Sequence, residues 1–421
     1  VPITCFSNIS LLVNLREHSH PLRGGEMANL PCLPNAYLLV ENDRIDSFGP
    51  MDTLSITTLE AGVETIDCTG RFVMPCWCDS HTHLVFAGTR ENEMVDKIRG
   101  LSYAEINARG GGILQSAASV HTASEDDLFE SAWQRLQSLA RMGTGAIEIK
   151  SGYGLNLKDE LKMLRVIRRL QISSPVLIRS TFLGAHAFPL EYRDDHSGYV
   201  RLIIEEMLPR IAEENLADFV DVFCEKGFFS PEQTTAICQA GRQYGLRPKL
   251  HVNQLHSVGG IETGLELKAL SLDHLEILTE DEINVLGKAS NDGWEGCCTL
   301  LPTAAFFLRT PMPPARLLAS AGCALALASD CNPGSSPSGN MNLVLSMACL
   351  QLGMLPEEAI NAATLNGAFA MGVEKEAGSI TPGKKANLII TKPVPSLAYL
   401  PYAFGSQHIE KVMIGGHFFP D

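Results

Sequence analysis

Residues 72–83, FVMPCWCDSHTH, read as a strand that ends in two histidines one residue apart. Seven more runs of this kind follow: TGAIEIKSG (144–152), LIRSTFLGAH (177–186), DFVDVFCEKG (218–227), RPKLHVNQ (247–254), ALSLDHLE (269–276), EGCCTLLPT (295–303) and CALALASD (323–330). Helix-patterned stretches separate them. In residues 158–170, for instance, Leu161, Leu164 and Ile167 recur at helical spacing. Eight strands alternating with helices between Phe72 and Asp330 match a (β/α)8 barrel of ~250 residues. A doubly wound open sheet has the same alternation and is the structural alternative.

Both ends of the chain read differently. AYLLVENDRIDSFGP (36–50) is two strand-like runs around the polar turn Asn42-Asp43, while GSITPGKKANLIITKP (378–393) and IEKVMIGGHFF (409–419) are β-rich and punctuated by Gly and Pro. Neither end is long enough to bury a good core alone. The predicted architecture is therefore an α/β TIM barrel over residues 72–377. It is inserted into one small β-sandwich-like domain made from residues 1–71 and 378–421.

Composition narrows the function classes. With 421 residues, 45% hydrophobic and 19% charged, the chain is an ordinary globular protein rather than a disordered or fibrous one. A net charge of −15 without a basic cluster disfavours nucleic acid as a partner. No apolar run reaches the ~18 residues of a membrane span. Residues 1–15 lack a basic flank before their apolar patch, so a secretory signal is not expected. Twelve cysteines without framework spacing suggest reduced thiols and a cytoplasmic enzyme.

Five of the twelve histidines, His81, His83, His186, His251 and His274, fall at the C-terminal ends of predicted strands, the active-site face of a barrel. The other seven, His256 among them, read as surface or packing residues. On a strand, His81 and His83 project to one face and can grip one metal together. The fifth strand ends in His251 and the eighth in Asp330. Three histidines and a carboxylate suit Zn2+, and also Fe2+ or Mn2+.

The stretches HTHLVFAGTRENE (81–93), SYAEI (102–106), GGGI (110–113), KSGYG (150–154), DVFCEKGFFS (221–230), LLPT (300–303) and SDCNPG (329–334) resemble the imidazolonepropionase family of the amidohydrolase superfamily. The resemblance covers about residues 38–416. It implies a metal-dependent hydrolase that opens the ring of 4-imidazolone-5-propanoate to N-formimidoyl-L-glutamate in histidine breakdown. It further implies one Zn or Fe ion per subunit, held by His81, His83, His251 and Asp330. Arg90, Tyr103, Tyr153, His186 and Gln254 would contact the substrate, with Asn332, Gly334 and Ser335 completing the pocket after the last strand. A homodimer is expected.

Hydrolysis of an amide-like C–N bond needs an activated water and a polarised carbonyl, and a bound divalent metal supplies both. Asp330 would hold the metal with one oxygen and take the water's proton with the other, later passing it to the leaving nitrogen. His274 would orient the nucleophile or polarise the carbonyl; a structural histidine in the barrel mouth is the plainer reading. The planar fork of Arg90 suits the substrate's carboxylate arm. Gly152 and Gly154 leave the Tyr153 phenol free to reach a ligand. The glycines 110–112 lack a P-loop lysine and its strand–helix setting, so phosphate binding is rejected.

Two features depart from the family pattern. Pro75 is followed by Cys76-Trp77-Cys78, whose thiols are read as packing groups. Position 254 is Gln, which cannot act as a carboxylic acid or base. Neither Lys150, ending the second strand, nor Lys226, just past the fourth, is read as a carbamylated bridge, so a single metal is expected. The rival reading is a metal-dependent aminohydrolase of a purine, pyrimidine or related ring, against which Gln254 argues. A catalytically dead barrel scaffold is disfavoured by the intact histidines.

Overall fold

The computed structural model describes residues 3–17, 19–55, 63–101, 105 and 111–420. Five strands come first: β1 (Ile3–Val13), β2 (Cys32–Glu41), β3 (Arg44–Pro50), β4 (Val63–Asp67) and β5 (Phe72–Pro75). Eight parallel strands follow: β6 (Trp77–Thr82), β7 (Thr144–Lys150), β8 (Leu177–Ala185), β9 (Phe219–Cys224), β10 (Arg247–Val252), β11 (Ser271–His274), β12 (Cys297–Leu300) and β13 (Leu325–Leu327). β14 (Leu388–Thr391), β15 (Ile409–Ile414) and β16 (His417–Phe418) then rejoin the first sheet.

β6 to β13 neighbour one another in chain order. The ring closes through a parallel bridge between Thr82 and Cys331, with the Asp330 N–H donating to His81 O (3.0 Å) and the His83 N–H to Cys331 O (2.9 Å). Closure excludes the open-sheet alternative. It also sets Asp330 beside His81 and His83. Strands such as FVDVFC are buried along their whole length, because helices cover them outside and side chains fill the barrel inside. The helix Leu157–Ser173 starts at Asn156, whose side chain accepts the Asp159 N–H, and buries Leu161, Leu164 and Ile167 as their spacing predicts.

The eight strands of the terminal segments form one mixed sheet, ordered β16-β15-β14-β5-β1-β2-β3, with β4 also paired to β1. The edge strand β3 also meets the segment just before β14, where Arg44 bridges Lys385, and the sheet encloses Phe6, Ile9, Leu12, Leu38, Val73, Leu388, Ile390 and Met413. The expected turn at Asn42-Asp43 joins β2 to β3, with Asn42 at φ 55°.

One element differs from the sequence reading. Residues 72–83 form two strands in two sheets, not one. Phe72–Pro75 pairs with β1 and β14, whereas Trp77–Thr82 opens the barrel. The partner changes within one residue: the Cys76 N–H donates to Asn387 O and the Trp77 N–H to Gly143 O, both 2.9 Å. Both halves are buried on both faces, so the sequence carries no alternation to mark the crossing.

The barrel interior is charged below its mouth. Lys150 Nζ donates to Glu148 Oε1 (2.6 Å) and Asp221 Oδ2 (2.8 Å) and lies 3.6 Å from Asp273 Oδ2. Lys249 Nζ donates to Glu148 Oε2, Ser80 O (3.2 Å) and Ala370 O (2.8 Å). All five ionisable side chains are fully buried. Removing one partner of a buried pair leaves the other uncompensated. Lys249→Met should therefore lower unfolding stability by about 3–5 kcal/mol, read from the guanidinium unfolding midpoint; an unchanged midpoint would show that Glu148 finds another partner.

Candidate active site

Alternation along β6 brings Asp79 and His81 inward, and His83 follows at the strand's exit. His251 comes from β10 and His274 from the end of β11. One ring nitrogen from each of His81, His83 and His251 lies within 4.8 Å of the others, all buried. His83 Nε2 and His251 Nε2 are 3.4 Å apart, and His81 Nε2 is buried without a hydrogen-bond partner. Asp330 Oδ1 stands 3.6 Å from the Nε2 of both His81 and His83.

Burial drives the pKa of all three imidazoles well below the ordinary histidine value, with Lys150 and the neighbouring histidines adding to the effect. They are neutral donors. His81 Nδ1–H donates to Asp273 Oδ2 (2.7 Å), which leaves its Nε2 lone pair facing the other rings. His251 Nδ1 lies 3.0 Å from Asp221 Oδ2, out of line for a hydrogen bond, while Asp221 Oδ1 accepts the His251 main-chain N–H (3.2 Å). Convergent neutral nitrogens, one of them orphaned, beside a carboxylate are the donor set of a divalent metal. Cys76 and Cys78 take no part: Cys76 Sγ faces Met413 O and Cys78 packs with Ala146 and Ala368.

Two residues break strand alternation. His274 and Asp330 have φ of 87° and 52°, conformations that L-residues rarely adopt. The twist at His274 lets consecutive residues reach the site: Asp273 bonds His81, and the His274 ring lies 5.5 Å from that of His81. Burial works against a charged His274, but Glu276, whose Oε1 is 3.3 Å from Nδ1, together with Asp330 and Asp273 outweighs it and raises the pKa. Burial likewise pushes the Asp330 carboxyl up to about 6, although His274, Asn332 and Ser335 pull it down.

His83, His251, His274 and Asp330 line a cavity of about 1230 Å³ together with Arg90, Tyr153, Gln254, Asn332, Gly334 and Ser335. Arg90 Nη2 donates to Glu93 Oε2 (2.8 Å), and its buried Nε has no partner among the described residues. A Cβ on Gly334 would stand only 2.1 Å from Arg90 Nη1, so this glycine makes room for the guanidinium. His186 Nδ1–H donates to Gly152 O (3.0 Å), and burial lowers its pKa to about 4. Glu160 accepts the N–H of Gly154 (2.7 Å) and Leu155 (3.0 Å) and so pins the loop that carries Tyr153. Asn332 spends its amide on the loop, donating to Asp330 O (2.6 Å) and Ser335 Oγ (2.7 Å) and accepting the N–H of Gly334 and Ser335 (2.8 Å each). Tyr103 and Gly110 lie outside the described residues.

Sequence reasoning passed over several residues. His256 is exposed, as its reading as a surface residue expects, but it also lines the rim of the cavity, with Nδ1 3.0 Å from Glu225 Oε1. Asp221, Asp273, Glu148 and Lys249 were detectable as charges inside strands, Lys249 two residues before His251. Lys226 is exposed, and three carboxylates outweigh the burial that would otherwise strip the Lys150 proton, so its pKa stands above that of ordinary lysine. An ammonium has no lone pair to be carbamylated.

A closed barrel with this donor set at its mouth is the architecture of a metal-dependent hydrolase, and residues 233–418 match the amidohydrolase family. The solved adenosine deaminase from Xanthomonas campestris, described with bound zinc, superimposes with a TM-score of 0.71 at 15% identity, over 99% of this chain and 92% of that one. That likeness concerns the fold. The chain belongs to the imidazolonepropionase family. It is 52% identical to the imidazolonepropionase of Flavobacterium johnsoniae, over 98% of this chain and 99% of that protein. To that of Christiangramia forsetii it is 50% identical, over 97% and 98%.

The cage makes a direct prediction. Protein purified with zinc should hold about one equivalent per chain by elemental analysis, and His83→Ala should retain less than about a tenth of it under the same dialysis. Full retention by His83→Ala would remove that residue from the cage.

Proposed function

We propose that this chain hydrolyses the ring C–N bond of 4-imidazolone-5-propanoate to give N-formimidoyl-L-glutamate, a step of histidine degradation. One observation carries the reading: the largely buried guanidinium of Arg90, held on one edge by Glu93, lines the same cavity as His83, His251 and Asp330. A dry, half-satisfied cation calls for an anion. The substrate's propanoate arm is such an anion, and a plain purine or pyrimidine ring has none. Gln254 adds weight against an aminohydrolase, because an amide has no proton to give departing ammonia.

A divalent metal bound among His81, His83, His251 and Asp330 supplies Lewis acidity, which polarises a carbonyl and acidifies a water. Zinc and iron both suit the donors, and the zinc of the X. campestris neighbour favours zinc. Asp330 Oδ2, which accepts from Ser335 Oγ at 3.3 Å, takes the proton of the attacking water and hands it to the ring nitrogen that leaves. His274 has its Nδ1–H directed to Glu276 and donates from Nε2 to the carbonyl oxygen. Neutral His186 accepts a ring N–H at Nε2, while Tyr153 and Gln254 flank the ring. The free state of all twelve cysteines supports work in the cytoplasm, where the chain would act as a homodimer.

Two variants test the assignment in an assay that follows loss of imidazolone absorbance. Asp330→Asn should lower kcat by at least ~100-fold; near-normal kcat with metal retained would send the proton elsewhere. Arg90→Met should lower kcat/KM by roughly 10- to 150-fold, the equivalent of ~1.5–3 kcal/mol for a charge-assisted pair. Most of that loss should appear in KM, and Arg90→Lys should recover only part of it. Substantial wild-type turnover of a ring without a carboxylate arm would favour the aminohydrolase instead.

A further inference from the structure

Lys150 has no part in the chemistry above, yet it sits directly beneath the cage. Asp221 Oδ2 lies 2.8 Å from Lys150 Nζ and 3.0 Å from His251 Nδ1. Asp273 Oδ2 lies 3.6 Å from Lys150 Nζ and 2.7 Å from His81 Nδ1. The two oxygens that face the ammonium are thus the two that face the imidazoles. Glu148 fixes the ammonium from a third side at 2.6 Å, and its Oε1 also accepts the Thr181 hydroxyl at 2.6 Å.

We propose that Lys150 is the positioning residue of the metal cage: one buried ammonium draws Asp221 and Asp273 together, and through them orients His251 and His81. The inference rests on reading His81, His83 and His251 as metal ligands. Two carboxylates sharing a dry interior repel each other strongly unless a cation stands between them. Without Lys150 they move apart: Asp273 releases the His81 ring, whose Nδ1–H it accepts, and Asp221 loses its place against the His251 main-chain N–H and the edge of its ring. The Nε2 lone pairs of His81 and His251 then lose their common focus. Loss of such outer partners weakens metal affinity by about 10- to 100-fold. Lys249 bonds Glu148 and two carbonyls and neither of these aspartates, so Lys150 is the ammonium that contacts both.

The test measures zinc binding to chelator-stripped protein, by competition with a chromophoric chelator and without substrate. Lys150→Met should bind zinc about 10- to 100-fold more weakly than the wild type. Asp273→Asn should weaken it too, and the double variant should lose less than the product of the two single losses, since both act along one path. Should Lys150→Met not accumulate as folded protein, Lys150→Met/Glu148→Gln removes one charge of each sign, touches neither aspartate, and should show the same weakening. A variant that is thermally destabilised but binds zinc like the wild type overturns the proposal, as do strictly multiplicative losses. If the stripped wild type takes up no zinc, the cage reading fails and the proposal with it; normal wild-type uptake with unchanged variants sinks the positioning role alone.

Discussion

Five ionisable groups that water cannot reach govern the upper half of this barrel. Lys150 and Lys249 stand against Glu148, Asp221 and Asp273. Such a cluster is a poor source of stability, since well-packed apolar residues of equal volume often do as well. Its effect is geometric. Glu148 lies between both ammonium groups, and Asp221 and Asp273 lie against Lys150, with Asp273 bonded to the His81 ring and Asp221 to the His251 main chain. The buried charges thus sit directly beneath the three converging histidines without lying among them.

The same economy appears at the seam where the barrel closes. The main-chain bonds that join β6 to the segment after β13 run between His81 and Asp330 and between His83 and Cys331. Closing the sheet and assembling three of the cage residues are therefore one event. The left-handed backbone at Asp330 and His274 belongs to this region as well. A regular strand would send alternate residues out toward the helices. The two conformations turn chemistry-bearing side chains into the mouth, and the surrounding hydrogen bonds hold them there.

Arg90 and Gly334 illustrate how the outer cavity is made. The guanidinium comes from the long connection after β6 and the glycine from the loop after β13, yet a single methyl group on Gly334 would displace the arginine. Glu93 takes one edge of the guanidinium and also accepts the Gly112 N–H at 2.7 Å, which ties this part of the connection together. Charge, shape and loop position are matched across two segments far apart in the chain.

Much of this was legible in the sequence. Eight apolar runs ending in polar residues specify a parallel α/β sheet, because only strands covered on both faces are apolar along their length; their span of ~250 residues points to a barrel, and closure excludes the open sheet. The positions of His81, His83, His251, His274 and Asp330 at strand ends place them on one face of it, since every strand in such a barrel points the same way. Their family-specific surroundings, KSGYG and HTHLVFAGTRENE, carry the resemblance that the relatives bear out. What the tertiary structure alone decided has a common cause. The split of residues 72–83 between two sheets, the clamp on Asp221 and Asp273, the rim position of His256 and the fit of Arg90 over Gly334 all depend on which distant segment lies opposite. A one-dimensional pattern records which face a side chain takes; it does not record what meets that face.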